Sequence, residues 1–272
     1  MIQDQAMPFL RHRLCDLGGK YMVEVFWLGQ MGLLVKSEAV TLCIDYYARD
    51  DAKRQTPPPI PMDELRDVDV FLGTHDHIDH IDHVAWKVWA KTNPHAKFIF
   101  PRTHMNQVLD DGVLPDNAIG LNDGESFEIN GVKISAIAAA HEFLDRDPET
   151  GLYPHLQFIL EIEGKKLHHA GDTVRYEGML PKLLSFGKID LQILPINGRD
   201  AVRYRDNCIG NMTFQEAADL AGEVKPLIII PGHYDMFAHN GANPRDFADY
   251  IDAKYPGKMV CRIPKVMEKI TL

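Results

Sequence analysis

The sequence predicts one α/β domain over residues 1–272, a four-layer αββα sandwich in which two facing sheets carry helices on their outer sides. Apolar residues make up 45% of the 272 residues and charged residues 25%, as in ordinary soluble globular proteins. Strands with interspersed helices follow one another in an order that repeats twice, and no segment resembles an interdomain linker. Such an order favours layers packed around a shared core.

The first half of the chain predicts mostly strands. Runs rich in Val, Leu and Ile indicate strands at 22–28, 32–36, 41–45 and 67–72, and the prolines within 54–61 indicate an extended loop. Helical spacing of apolar residues predicts a helix over 79–91. A strand at 97–100, a helix at 103–109 and a hairpin of strands 127–130 and 133–139 follow, with Asn130-Gly131 as the turn.

The second half continues the alternation. After a polar loop over 142–155, a hairpin is predicted at 156–163 and 166–170, then a helix near 176–185 and a strand at 191–195. A long polar loop spans 198–211. Thr213 and Glu216 form the signature of a capping box for a helix over 213–224. A strand at 227–230, a helix at 244–254 and short closing strands complete the chain.

Composition excludes several classes of partner. The formal charge of -10 argues against nucleic acid or an anionic membrane as the main partner. The four cysteines (Cys15, Cys43, Cys208 and Cys261) are far apart, which indicates reduced thiols. Residues 1–19 lack the apolar run of a signal peptide, and no apolar stretch is long enough to cross a bilayer. We therefore expect a cytoplasmic protein. The sequence leaves its oligomeric state open, and a homo-oligomer is possible.

The strongest motif is a histidine-rich turn, in which residues 74–82 read T-H-D-H-I-D-H-I-D. His75 and His77, two apart in an extended segment, point to the same side, whereas Asp79 and His80 fall where the chain turns into a helix and can face a second point. Three imidazoles and a carboxylate within six residues suit Zn, Mn or Fe. The alternative, a solvated polar loop, is disfavoured by the adjoining apolar strand and helix.

Further ligands are expected elsewhere in the chain. His141, Asp172 and His233 each come directly after an apolar strand. The carboxyl ends of strands are where α/β proteins commonly gather their sites. The sequence therefore predicts that these three side chains meet the histidine-rich turn.

Taken together, H-x-H-x-D-H, a later His, G-D-T and a final G-H resemble the metallo-β-lactamase superfamily. The resemblance implies that His75, His77 and His141 bind one metal ion, that Asp79, His80 and His233 bind a second, and that Asp172 bridges them. A closer resemblance, to the L-ascorbate-6-phosphate lactonase family, rests on four segments. They are Trp27-Leu28-Gly29 with Gly32 and Lys36-Ser37, residues 74–82, His169-x-Gly171-Asp172, and Asn243-Pro244. That family is longer and has Asp where this chain has His141, so the resemblance implies metal-hydrolase chemistry without fixing the substrate.

The function implied is hydrolysis of a small anionic ester or lactone, such as a sugar-phosphate lactone, with two divalent metal ions, Zn or Mn. In this reading the metal pair activates a water molecule. Asp172 and Asp79 are the catalytic carboxylates, Asp172 as the bridge and Asp79 as the proton acceptor. A phosphodiesterase or nuclease of the same fold is the first alternative. A redox metalloprotein is the second, disfavoured because the chain has no room for a flavodoxin-like domain.

Neighbouring residues have weaker signals. Asp45, at a strand end, and His169 are expected to support metal ligands, with a strand-end turn and a structural histidine as the respective alternatives. Asp76 and Asp82 either brace the ligands or are solvated turn residues. His12, His83, His95 and His104 are interpreted as surface residues, and Cys43, Cys208 and the three tryptophans as packing residues.

The loop over 198–211 is a local basic island in an acidic chain. Its residues Arg199, Arg203, Tyr204 and Arg205 are candidate substrate-binding groups, because arginine binds phosphate or carboxylate through paired hydrogen bonds. Ordinary surface salt bridging is the alternative. Tyr234, directly after His233, is a further candidate for contact with the leaving group.

Overall fold

The computed structural model describes residues 22–272, so the predictions for His12, Cys15 and residues 1–19 lie outside the described residues. Within the described part, no helix is long and apolar enough to cross a membrane. Cys43, Cys208 and Cys261 are free thiols, as predicted.

One seven-stranded sheet is built mainly from the first half of the chain. It contains β1 (Glu24–Gly29), β2 (Gly32–Lys36), β3 (Thr41–Ile44), β4 (Val70–Leu72), β5 (Lys97–Pro101), β6 (Ala118–Leu121) and β14 (Lys269–Thr271). The spatial order is β14-β1-β2-β3-β4-β5-β6, and β3 to β6 run parallel. Strand β6 was not predicted, because its four residues include a glycine and give no clear alternation. The closing strand β14 returns to this sheet and pairs antiparallel with β1.

A second seven-stranded sheet is built from the rest of the chain. It contains β7 (Ser126–Ile129), β8 (Val132–Ala138), β9 (Leu156–Ile162), β10 (Lys165–His169), β11 (Leu191–Pro195), β12 (Ile228–Gly232) and β13 (Val260–Cys261). The order is β13-β12-β11-β10-β9-β8-β7, with β10 to β13 parallel and β7 to β10 antiparallel. Both predicted hairpin turns are confirmed: Asn130-Gly131 and Glu163-Gly164 have the positive φ angles that such turns require.

Six α-helices lie in the described part: α1 (His83–Thr92), α2 (Met105–Asp110), α3 (Met179–Ser185), α4 (Ala201–Arg205), α5 (Phe214–Val224) and α6 (Pro244–Lys254). Helix α1 begins later than predicted because the Asp82 carboxylate caps it, accepting hydrogen bonds from the Val84 and Ala85 amides. Helix α4 corrects the prediction of an irregular loop over 198–211, since Asp200 caps a short helix there. The Thr213–Glu216 capping box of α5 is confirmed.

Three apolar clusters define the layers. Val25 and Leu33 pack with Phe158 and Ile193 between the two sheets. On the outer side of the first sheet, aromatic side chains from α1 stack on the strands, with the Phe71 and Trp89 ring centroids 4.6 Å apart. On the outer side of the second sheet, a separate cluster joins residues of α3, α5 and α6 to the strands. The predicted four-layer αββα architecture is therefore confirmed, as is the packing role of Cys43 and the three tryptophans; Cys208 is only partly buried.

The two sheets meet at one edge through backbone hydrogen bonds. The Leu156 amide at the start of β9 donates to the Thr74 carbonyl after β4, at 2.9 Å. The His233 amide after β12 donates to the Gln30 carbonyl in the β1–β2 turn, at 3.1 Å. These bonds bring the segments that follow β4 and β12 into one place.

Candidate metal centre

The structure brings the seven predicted metal ligands together in two adjoining groups. The first consists of His75, His77, His141 and Asp172, and the second of Asp79, His80 and His233. Within each group the ligand atoms lie within 4.8 Å of one another. All but His77 are buried. Each follows a strand or belongs to the turn after β4, so the strand ends determine where the groups lie.

Asp172 stands between the two groups. Its Oδ2 atom is 3.5 Å from Nε2 of His141 in the first group and 3.1 Å from Nε2 of His233 in the second. Its Oδ1 atom is 3.3 Å from Nε2 of His80. One carboxylate therefore faces ligand atoms of both groups.

Ring nitrogens of the three histidines in the first group face one another at short distances. Nδ1 of His77 is 2.9 Å from Nε2 of His75 and 3.3 Å from Nε2 of His141. Burial lowers the pKa of His75 well below its usual value, and the neighbouring His80 and His77 lower it further. Burial likewise lowers the pKa of His77, together with His141. Neutral imidazoles with converging lone pairs are the form in which histidine binds metals.

The second group holds acidic and basic side chains in close contact. Burial opposes a charge on His80, yet the carboxylates of Asp172, Asp79 and Asp45 raise its pKa well above the usual value. The pKa of Asp172 is held well below its usual range by His233 and His80, against the effect of burial. The raised pKa of His80 and the lowered pKa of Asp172 have the same cause, namely that the buried carboxylates favour a positive charge beside them.

Several buried polar atoms at the centre make no hydrogen bond within the described residues. They are Nε2 of His80 and Oδ1 of Asp172, which face each other at 3.3 Å, and Nδ1 of His141. Buried polar atoms are almost always paired, and leaving one unpaired costs about 1–3 kcal/mol. The unpaired atoms, the neutral imidazoles and the shared carboxylate together fit divalent ions of the Zn or Mn type.

Asp45 and His169, the predicted supporting residues, are both buried beside the groups. Oδ2 of Asp45 is 2.6 Å from Nδ1 of His80 and accepts a hydrogen bond from the Thr74 hydroxyl at 2.7 Å. His169 donates from Nε2 to the Met31 carbonyl at 2.8 Å and accepts at Nδ1 from the Gly171 amide. Asp45 thus contacts a predicted ligand, His80, directly, whereas His169 holds the backbone next to Asp172.

The interpretation of His104 as a surface residue is wrong, whereas His83 is partly exposed but paired. His83 lies between two carboxylates, with Nε2 2.6 Å from Asp76 and Nδ1 in a short contact with Asp111. His104 is buried, with Nε2 3.0 Å from the Pro154 carbonyl. Asp76 is therefore paired with His83 and is not a free turn residue. His95 is exposed, as expected.

The candidate arginines all have protein partners. Arg199 donates through both terminal nitrogens to Glu216 at 2.7 Å. Arg203 binds the carbonyls of Asn197, His239 and Gly241. Among the described residues, Arg205 pairs only with its neighbour Asp206, and its side chain is 71% exposed. The substrate-binding role of this loop stays a prediction, and Arg205 is the member best placed to exchange its partner.

The candidate tyrosines differ in exposure. Tyr204 lies on the short helix α4 and is 43% exposed. The Tyr234 ring stacks on Trp27 with 5.4 Å between centroids and packs against the core. Tyr234 therefore has a packing role whether or not it also contacts a substrate.

Two residues of the centre were missed by the sequence analysis. The side-chain nitrogen of Gln30, Nε2, is 2.8 Å from Oδ2 of Asp79. The His155 ring lies 5.2 Å from that of His75 and 5.4 Å from that of His141, and its Nδ1 atom is buried without a partner. The sequence signal for a ligand was its position directly after a strand, whereas His155 directly precedes β9. Because β9 runs antiparallel to β8 and β10, its start lies beside their ends.

Comparison with known proteins gives consistent matches. The family described as Beta-lactamase superfamily domain matches residues 43–234. A protein of Korarchaeum cryptofilum named UPF0173 metal-dependent hydrolase is 28% identical over 231 residues, which cover 85% of this chain and 91% of the relative. A Pyrococcus abyssi protein of the same name is 29% identical over 235 residues, covering 86% and 94%.

Solved structures show the same architecture. Igni18, a metallo hydrolase from Ignicoccus hospitalis, superposes with a TM-score of 0.71 at 21% identity, covering 92% of this chain and 98% of that one. The metallo-beta-lactamase fold protein YhfI from Bacillus subtilis superposes with a TM-score of 0.65 at 14% identity, covering 93% and 100%.

Proposed function

Because this chain belongs to the family of the Beta-lactamase superfamily domain and has the metallo-β-lactamase fold, we propose that it is a metal-dependent hydrolase. The observation that carries the proposal is the position of Asp172, whose one carboxylate faces ligand atoms of both groups. The relatives named metal-dependent hydrolase, which align over more than four fifths of this chain, support it.

In this proposal His75, His77 and His141 hold one divalent ion, Asp79, His80 and His233 hold another, and Asp172 is shared. Two metal ions held in this way would lower the pKa of a bound water molecule toward neutrality and would polarise the group under attack. Asp45 orients His80 by accepting the proton on Nδ1, which leaves Nε2 free as a ligand atom. Asp79, which is buried at the second group, would accept the proton that such a water molecule releases.

For the substrate we propose a small ester or lactone with an anionic group, such as a sugar-phosphate lactone. Its support is the lactonase-like motif set and the exposed guanidinium of Arg205 in the loop between Asp172 and His233. The chain's charge of -10 argues against a nucleic-acid substrate.

Elemental analysis of the purified chain and of Asp172→Ala tests the proposal. We expect about two divalent ions per wild-type chain and a loss from both groups in the variant, since the variant removes the shared carboxylate. Hydrolysis of a lactone panel should cease after exhaustive chelation and return with Zn²⁺ or Mn²⁺. Full metal loading of the variant, or hydrolysis that survives chelation, would contradict the proposal. Faster turnover of bis(p-nitrophenyl) phosphate than of every lactone would favour the phosphodiesterase instead.

A further inference from the structure

Gln30 is fixed beside the second group by its backbone. It lies in the turn between β1 and β2, is fully buried and has a φ angle of 55°. Its amide donates to Oδ1 of Asp235 at 2.9 Å, and its carbonyl accepts from the His233 amide at 3.1 Å. The turn and the His233 segment therefore hold each other, and the Gln30 side chain has little freedom to leave the site.

The carboxamide of Gln30 reaches the point where the second group converges. Its Nε2 atom is 2.8 Å from Oδ2 of Asp79 and 3.2 Å from Nε2 of His233. These same two atoms face each other at 3.5 Å within the group. Its Oε1 atom is buried and has no hydrogen-bond partner. The amide thus combines an unpaired oxygen with direct contact to two ligand atoms.

A half-turn about the terminal torsion exchanges the amide oxygen and nitrogen, and that torsion has a broad, roughly two-fold profile. Without a cation, the Asp79 carboxylate attracts the N–H side. With a cation between Asp79 and His233, the N–H side is repelled and the oxygen is attracted. The carboxamide oxygen is an ordinary ligand for hard divalent ions.

We propose that Gln30 is a further metal ligand, whose Oε1 atom binds the ion held by Asp79, His80 and His233. This inference rests on the proposed metal-dependent function and extends its ligand set. With Gln30, the second group offers oxygen from three side chains, counting Asp172, whereas the first group is dominated by imidazole. The second group should therefore favour Mn²⁺ more strongly than the first.

The test is Mn²⁺ titration of the metal-depleted full-length chain by calorimetry and electron paramagnetic resonance. Gln30→Met removes the oxygen and should weaken binding of the second equivalent of Mn²⁺ at least tenfold, while binding of the first equivalent stays unchanged. Gln30→Glu replaces one oxygen ligand by another and should bind the second equivalent as tightly as wild type or more so. Gln192→Met is the matched control, since Gln192 is equally buried, has an unpaired Oε1 atom and contacts His168 instead of a ligand.

The outcomes separate the ligand role from its alternatives. If Gln30→Glu weakens binding of the second Mn²⁺ at least as much as Gln30→Met does, an oxygen at this position does not bind the ion, and the inference is overturned. Two unchanged equivalents in Gln30→Met also overturn it, while the metal-dependent function stands. A wild-type chain that binds no divalent ion overturns the function and the inference together.

Discussion

The carboxylate of Asp45 lies 2.6 Å from Nδ1 of His80, and both side chains are completely buried. Asp45 is itself held by the backbone amide and the hydroxyl of Thr74, at 2.8 and 2.7 Å. Since Nδ1 of His80 is bonded to Asp45, Nε2 is the nitrogen that faces Asp172 and Asp79. The end of β3 thus controls which nitrogen of His80 is available to a metal.

Asp45→Asn should weaken divalent-metal binding by about 10–100-fold, the usual effect of removing a partner of a ligating histidine. The asparagine can still accept from the Thr74 amide, but its NH₂ group cannot accept the His80 proton. Competition of the variant with a chelator of known affinity measures the change. An unchanged affinity would show that Asp45 only ends a strand.

The pairing of His83 with Asp111 and Asp76 should make stability depend on pH. These hydrogen bonds raise the pKa of His83 to about 9, above its unfolded value of about 6.5. The stabilisation is therefore fully present below pH 6.5 and is lost as pH rises toward 9. Because the side chain is 29% exposed, we expect His83→Gln to cost about 1–2 kcal/mol at pH 6 and little at pH 9.5.

Urea unfolding of wild type and His83→Gln at the two pH values measures this difference. His95→Gln is the control, because His95 is exposed and should unfold like wild type at both. An equal loss in His83→Gln at pH 6 and pH 9.5 would mean that the ion pairs contribute nothing that depends on charge.

The arginines should separate into a structural and a substrate-binding member. Arg199→Ala breaks the paired contact with Glu216, the capping-box residue of α5, and should lower the free energy of unfolding by about 1 kcal/mol. Arg205→Ala should leave stability unchanged. It should raise KM for an anionic ester, because the variant lacks the guanidinium that would donate hydrogen bonds to the anionic group.

Steady-state kinetics on an anionic ester and a neutral analogue of the same shape test this prediction. Only the anionic substrate should respond to Arg205→Ala, and the response should diminish as salt is added. If both substrates are turned over as by wild type, the loop is an ordinary surface segment.

His155→Phe should lower kcat/KM at least tenfold without changing metal content. Burial, with His141 and His77, lowers the pKa of His155 to about 3, so the ring is a neutral imidazole beside the first group, and its Nδ1 atom has no protein partner. Such a group can form a hydrogen bond with substrate or water.

His168→Phe is the contrast, because both His168 nitrogens are bonded to Gln157 and Gln192. The His168→Phe variant should have a lower free energy of unfolding than wild type and the same kcat/KM. Wild-type kinetics in His155→Phe would leave His155 a packing role.

Much of the candidate centre could be predicted from local patterns. His75 and His77 were predicted to face one side, and both belong to the first group, although residues 74–77 form bends and are not an extended segment. His141, Asp172 and His233 each follow an apolar strand. These patterns depend only on backbone periodicity and on where strands end, which neighbouring residues determine. The capping box of α5 and the two hairpin turns are local in the same sense.

What the sequence by itself determined, therefore, is the chemistry of the donors and the strand ends that carry them. The tertiary structure alone decided which distant groups join them. Gln30 enters the second group because the β1–β2 turn bonds to the His233 segment, 203 residues away, and His155 enters because β9 is antiparallel to its neighbours. The arginines of the 198–211 loop are engaged by Glu216, Asp206 and backbone carbonyls. Such contacts depend on the packing of one segment against another. The periodicity of residues within a single segment does not reveal them.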